Sequence, residues 1–386
     1  MKKTQLASAI TLTLLSSSLL ANETPATYGG ESELNGVHNR CIVRLKDNTD
    51  SSTVQGIAHK KLTKANQLSG KSASLKHLYI NSIKGFTITM PCAAASKAFG
   101  QDNDVASLTP DSIISVSRGK PNRGGNDSVA QSTPWSVTRV GGPLDGSGST
   151  AWVIDTGIDL SHKDLNVDQS RGFSAFSDKR NRSFNDGHGH GTHVAGTIAA
   201  KNNTIDVVGV AAGATVVPVK VLDSRGSGST SGVIAGVDHV GANAQAGDCA
   251  NMSLGGGVST VLDDAVKAAA LKSGAFFVLA AGNDGDNANN HSPARANGSN
   301  VFTISAVNSS DNMPSWSNFG NPPVDYAAPG VSILSLKRGG GTTTMSGTSM
   351  AAPAACAVLM LSNGTPSTSG VAGNDQDGNP DPIISL

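Results

Sequence analysis

Ala151-Trp152-Val153-Ile154-Asp155-Thr156-Gly157-Ile158-Asp159 is the stretch on which the fold turns. Four apolar residues run without a break and stop at a carboxylate, a hydroxyl and a glycine. A strand with one wet face alternates apolar and polar residues. An unbroken run calls for apolar cover on both faces. The same kind of run returns at residues 216–222, 276–279 and 301–304. Small-residue segments of helical character lie between them, at 193–200, 232–246 and 262–273. Apolar strands alternating with helices predict an α/β fold, a parallel sheet flanked by helices. In such sheets ligands bind beyond the C-terminal strand ends, which is where Asp155 stands.

Three further stretches carry chemistry. His188-Gly189-His190-Gly191-Thr192-His193 puts three imidazoles within six residues at a helix start. One of them is placed for general base work. Three together also read as zinc ligands, or as plain structural residues. Gly347-Thr348-Ser349-Met350-Ala351-Ala352-Pro353 sets a serine just after a glycine turn, at a helix N-terminus with a free backbone N–H. A serine there is either a nucleophile or an N-cap. Ala280-Ala281-Gly282-Asn283 ends an apolar run in a side-chain amide able to donate to an oxyanion. Asp155 taken alone reads better as an ordinary turn residue. A lipase elbow, Gly-x-Ser-x-Gly, is not met, because Ala351 stands where its second glycine belongs.

Together, and in the order Asp, His, Ser, these stretches resemble the subtilisin-like serine protease family over residues 130–361. The resemblance implies a secreted serine endopeptidase. Asp155 would orient His190, His190 would take the proton, and Ser349 would attack. Asn283 and the Ser349 N–H would hold the oxyanion, and His188 and His193 would have no catalytic part. Ser253, Leu254 and Gly255 resemble one substrate-lining edge, and Gly226, Ser227 and Gly228 the opposite one. A peptide would be added between them as a strand. Ala280, Ala281 and Gly282 would wall the pocket for the residue before the cut, and residues 289–294 resemble its floor. The resemblance also implies a stabilising Ca2+ held by Gln131, Asp164 and Asn203, with the carbonyls of Lys201, Ile205 and Val207. Two departures stand out. Ala351-Ala352-Pro353-Ala354-Ala355-Cys356 lacks the family's frequent continuation His-Val-Ala-Gly. The Ser- and Gly-rich sequence after it suggests that C-terminal elements are missing.

The N-terminal part fits the same resemblance. Met1-Lys2-Lys3 followed by an apolar stretch over 6–20 reads as a secretory signal peptide, residues 1–21. No later apolar run is long enough to span a bilayer. Strand-like runs at 41–45, 86–90 and 113–116 and helical ones at 53–68 and 96–99 make residues 28–118 a small α+β unit. It resembles the family's ferredoxin-like propeptide, which chaperones folding and then inhibits until removed. Residues 119–129 are polar and rich in chain breakers, a linker with the processing region near Ala130. The peptidase domain would span 130–386, its mature end beginning near Gln131-Ser132-Thr133-Pro134-Trp135. Because the two parts would separate, the four cysteines are expected to pair as Cys41–Cys92 and Cys249–Cys356. Lys+Arg and Asp+Glu both number 29, so the formal charge is zero. Nothing in that balance asks for a nucleic acid or an anionic membrane. The expected partners are protein and peptide substrates and the chain's own propeptide, with the protein a monomer.

Overall fold

The computed structural model describes residues 33–70, 72–116 and 130–386. The expected signal peptide and the linker 119–129 lie outside the described residues. Six elements follow from Cys41: β1 (Cys41–Leu45), α1 (Val54–Ser69), β2 (Leu75–Tyr79), β3 (Gly85–Ile88), α2 (Cys92–Phe99) and β4 (Val105–Pro110). The strands pair antiparallel in the order β2-β3-β1-β4. This is the β-α-β-β-α-β ferredoxin-like arrangement. Val43, Leu45, Phe86 and Ile88 from the sheet meet Val54, Ala58 and Phe99 from the helices. A disulfide joins Cys41 on β1 to Cys92 at the start of α2.

The larger sheet is built from β6 (Thr150–Asp155), β7 (Thr215–Lys220), β9 (Cys249–Met252), β11 (Phe276–Ala280), β12 (Val301–Val307), β13 (Val324–Pro329), β14 (Ser367–Val371) and β15 (Pro382–Ser385). Two short strands at its mouth, β8 (Ser227–Ser229) and β10 (Leu254–Gly257), are separate from it, as is β5 (Ile113–Val116). Their order is β14-β15-β13-β12-β11-β9-β6-β7, and two two-residue strands at 166–167 and 173–174 pair with the free side of β7. Neighbours are parallel except β14 with β15.

Helices α3 (His190–Ala199) and α6 (Thr348–Leu361) cover one face, and α4 (Thr230–Asn243) and α5 (Thr260–Ser273) the other. The unbroken run in β6 is explained by this double cover. Ala151 and Val153 enter the α3/α6 core, while Trp152 and Ile154 enter the α4/α5 core. A second disulfide, Cys249–Cys356, ties central strand β9 to α6. The C-terminal sequence supplies an element: β15 joins β13 and buries Ile383 and Ile384. No helix among the described residues is long and apolar enough to cross a membrane.

Candidate active site

Asp155 closes β6, and both of its carboxylate oxygens lie 2.9 Å from His190 Nδ1. His190 opens α3. Gly189 before it has φ 107°, a left-handed conformation that suits glycine. Gly191 after it lies so close to the Gly157 carbonyl that a Cβ would stand 2.1 Å from that oxygen. The helix start is held by Asp186. Its carboxylate accepts from the N–H groups of His188 (2.8 Å), Gly189 (2.8 Å) and Thr192 (3.0 Å). It also accepts from the hydroxyls of Thr156 (2.9 Å) and Thr192 (2.6 Å). Free N–H groups at a helix start need such acceptors. Burial alone would lower the His190 pKa. The Asp155 charge and hydrogen bond outweigh it and leave the imidazole raised above its ordinary value.

Ser349 lies in the first turn of α6, buried. Its Oγ donates to the Ser253 carbonyl at 3.2 Å, and its own carbonyl accepts from Ser253 Oγ at 2.8 Å. Asn283 follows the end of β11. Its Oδ1 accepts from the N–H and the hydroxyl of Thr348 at 2.9 and 3.0 Å. That leaves Asn283 Nδ2 and His190 Nε2 buried with no hydrogen-bond partner. Buried polar atoms are seldom left so, and two at one strand-end site mark a place built for a polar ligand.

The two expected peptide edges are β8 and β10, and β5 already lies antiparallel between them. Ser115 faces Ser227 on one side and Gly255 on the other, Ile114 faces Gly228, and Val116 faces Leu254. The Val116 N–H donates to the Gly226 carbonyl at 2.9 Å. Ser253 precedes β10 and touches Ser349. Beside Val116 opens a cavity of about 430 Å³, walled by Ala280, Ala281, Gly282, Gly255, Gly256 and Ala294, with Asp284 and His291 also on its lining.

The three motif histidines do not converge. His193 Nε2 meets the Ile333 carbonyl at 3.1 Å, and burial with His190 nearby pushes its pKa down to about 3. His188 stands edge-on to His190, ring centres 6.3 Å apart.

The residues named for calcium stand in hydrogen-bonded sets on and beside the loop beyond the C-terminus of α3. Gln131 Nε2 donates to the carbonyls of Lys201 (2.8 Å) and Val207 (3.4 Å). Asn203 bonds Asp164 at 2.6 Å and accepts from the Ile205 N–H at 2.8 Å. Asp164 Oδ2 is buried without a hydrogen-bond partner, and burial pushes this carboxyl up to about 6. Among the described residues no group of three or more His, Cys, Asp or Glu is arranged for a metal. A hard ion at Asp164 would therefore draw chiefly on amide and carbonyl oxygens.

The Subtilase family profile matches residues 146–369, more than half of the chain. The chain belongs to the subtilase family. It is 38% identical over 359 residues to a subtilisin-like protease 5 of Arthroderma otae, covering 86% of this chain and 84% of that protein. Over 255 residues it is 43% identical to an alkaline serine exoprotease A of Vibrio alginolyticus, covering 66% of this chain and 46% of the other. Among solved structures, a cold adapted subtilisin-like serine proteinase matches with a TM-score of 0.57 and 39% identity, covering 65% of this chain and 97% of that one. The subtilase is accordingly a serine-type endopeptidase. Sequence reasoning missed two positioning residues of this subtilase, Asp186 and Thr348. Their only trace was adjacency to the His and Ser motifs.

Proposed function

We propose that this subtilase is a secreted endopeptidase made as a self-processing zymogen, with Asp155, His190 and Ser349 as its catalytic triad and Asn283 as oxyanion donor. The observation that carries the reading is β5. A strand of the chain itself fills the groove between β8 and β10, its last residue Val116 lines one cavity with Asn283, and Asn283 Nδ2 and His190 Nε2 are both buried without a partner. Ser349 must swing its hydroxyl from the Ser253 carbonyl to His190 Nε2 for the proton to leave. The alkoxide then adds to a substrate carbonyl, whose oxyanion meets Asn283 Nδ2 and the Ser349 N–H. The imidazolium is stabilised by Asp155 and delivers its proton to the leaving amine. Water repeats the sequence to free the acid. Gly226, Ser227 and Gly228 on one side, with Ser253, Leu254 and Gly255 on the other, would hold substrate by main-chain pairing.

Residues 28–118 act in this reading as the inhibitory propeptide, after a signal peptide at 1–21, and 119–129 as the linker before a peptidase domain at 130–386. The enzyme works as a monomer on proteins and peptides, with no nucleic acid or membrane partner. Gln131, Asp164, Lys201, Asn203, Ile205 and Val207 would hold a structural calcium ion, which adds stability and no chemistry. The test is a fluorophosphonate probe on mature protein. Label is expected on Ser349 alone, and Ser349→Ala is expected to remain an uncut, inactive full-length chain. Normal maturation of that variant in a protease-free host would sink the self-processing claim.

A further inference from the structure

Lys220 ends β7 beside Asp155, the last residue of β6. Along these two strands the side chains alternate between the two cores. Trp152, Ile154, Val217 and Val219 enter the α4/α5 core, while Ala151, Val153 and Val216 enter the α3/α6 core. Asp155 and Lys220 are registered partners and continue the second set. Both side chains therefore leave the sheet on the α3 face, from strands about 4.8 Å apart. Lysine is seldom fully buried unless paired with a carboxylate. Lys220 is 1% exposed, and its Nζ donates to two carbonyls instead, Thr156 at 2.5 Å and Leu222 at 3.0 Å. Among the described residues it makes no ion pair.

Two carboxylates close by lack a lysine or arginine of their own among the described residues. Asp155 is paired with His190, and Asp186 is held by N–H and O–H groups. Asp223, just after β7, is paired with Arg225. Burial pulls the Lys220 pKa down, against the charges of Asp186, Asp223, Asp155 and Asp178. The charged and titratable groups around His190 are Asp155 on β6, Asp186 before α3, and His188 and His193 on its own segment. Asp155 and His190 bind and lose a proton as one unit. With the imidazole protonated that unit is neutral overall, and with the imidazole neutral it carries one negative charge. A fixed cation alongside favours the second state.

We propose that Lys220 is a positioning residue of the triad, a fixed cation that loosens the hold of the Asp155–His190 pair on its proton and so keeps His190 able to accept the Ser349 proton in mildly acidic solution. The inference rests on the triad reading above. Lys220 touches neither substrate nor the reacting atoms and acts through its neighbours. Its charge stands beside Asp155 and limits how far that carboxylate raises the proton affinity of His190. Its hydrogen bond pins the Thr156 carbonyl. The Thr156 hydroxyl donates to Asp186 at 2.9 Å and accepts from the Gly191 N–H at 3.0 Å, so the pinned turn also sets the backbone next to His190. Burying an ammonium on two carbonyls is costly. The cost is offset where the charge serves two buried carboxylates at once.

The experiment measures kcat/KM against pH for mature wild type, Lys220→Met, Lys220→Gln and Lys220→Arg, with competent sites counted by burst titration. Methionine fills similar space without charge. Glutamine keeps an N–H donor for one carbonyl and carries the test where the methionine variant does not fold. The midpoint of the acid limb should rise by about one pH unit in both neutral variants, with KM little changed. Lys220→Arg retains the charge and should hold the wild-type midpoint even where its larger head lowers Tm. A lower Tm or fewer competent molecules in the neutral variants, with the midpoint unmoved or lowered, would make Lys220 a structural tie and overturn the proposal while the triad reading stands. If Ser349→Ala still hydrolyses peptide with no other protease present, the triad reading fails and the proposal falls with it.

Discussion

Asp238 lies on α4, on the far side of the sheet from α3, and is expected to govern how tightly the N-terminal unit stays bound after it is cut. Its carboxylate is almost fully buried and faces the turn after β2. Oδ1 accepts from the N–H groups of Ile80 (3.0 Å), Asn81 (2.7 Å) and Ser82 (2.7 Å) and from the Ser82 hydroxyl (2.8 Å). Oδ2 accepts from Asn81 Nδ2 at 3.1 Å. A hydrogen bond to a charged group contributes roughly 1.5–3 kcal/mol, and five sharing one carboxylate do not add in full. Truncation also strands buried N–H donors. Removing one partner of a buried charged set costs about 2–5 kcal/mol. At 1.4 kcal/mol per tenfold change, Asp238→Ala should weaken the docked unit by about 30- to 4,000-fold. Asp238→Asn, which keeps one acceptor oxygen, should fall between the two. The assay is serial dilution of freshly nicked complex, reading the concentration at which peptide hydrolysis sets in. Fully mature enzyme should turn over normally in both variants. An onset for Asp238→Ala within threefold of wild type would refute the claim that this carboxylate anchors the unit.

Other expectations concern the site. Asn283→Ala should lower kcat about 10²–10³-fold with KM little changed, since the amide acts on the oxyanion; a loss confined to KM contradicts that role. His190 must be neutral to take a proton, and its pKa is raised, so the protonated form persists to higher pH than in a free imidazole. The acid limb of kcat/KM should thus have its midpoint above 6.5, and a midpoint below that value counts against the Asp155 partnership. For mature protein stripped of metal, added calcium should raise Tm, and Asp164→Ala should remove most of the rise without changing initial activity. No Tm shift on adding calcium to stripped wild type excludes the ion.

Much of this was legible in the chain because burial and chemistry leave local marks. A strand covered on both faces must be apolar throughout, which is how residues 151–154 disclosed the sheet. Strand β13 escaped because Asp325 interrupts its apolar pattern. That carboxylate is spent on the Thr303 N–H at 2.8 Å, a partner 22 residues back. Helix α3 was expected from His193 and in fact starts at His190. The reason is Asp186, whose hold on three N–H groups leaves no periodic signal. Asp155, His190, Ser349 and Asn283, the residues of the proposed catalytic site, were readable as motifs, and both expected disulfides are present. The seating of β5 against β8 and β10 had half its trace in the alternation of 113–116. The anchor at Asp238 had none, since it joins residues some 157 positions apart.

The pairing of β5 with β8 and β10 has a consequence for what this subtilase can digest. In the proposed role the groove grips a substrate's main chain from both sides, as it grips β5, so a target must offer a stretch whose own N–H and C=O groups are unspent. Segments inside a native sheet or helix do not qualify until they come loose. For a well-folded target, hydrolysis should then be rationed by how often a segment of about four residues detaches, a property of the prey's local free energy. With reclosing faster than cutting, digestion reports that equilibrium. The protease becomes a gauge of softness in other proteins.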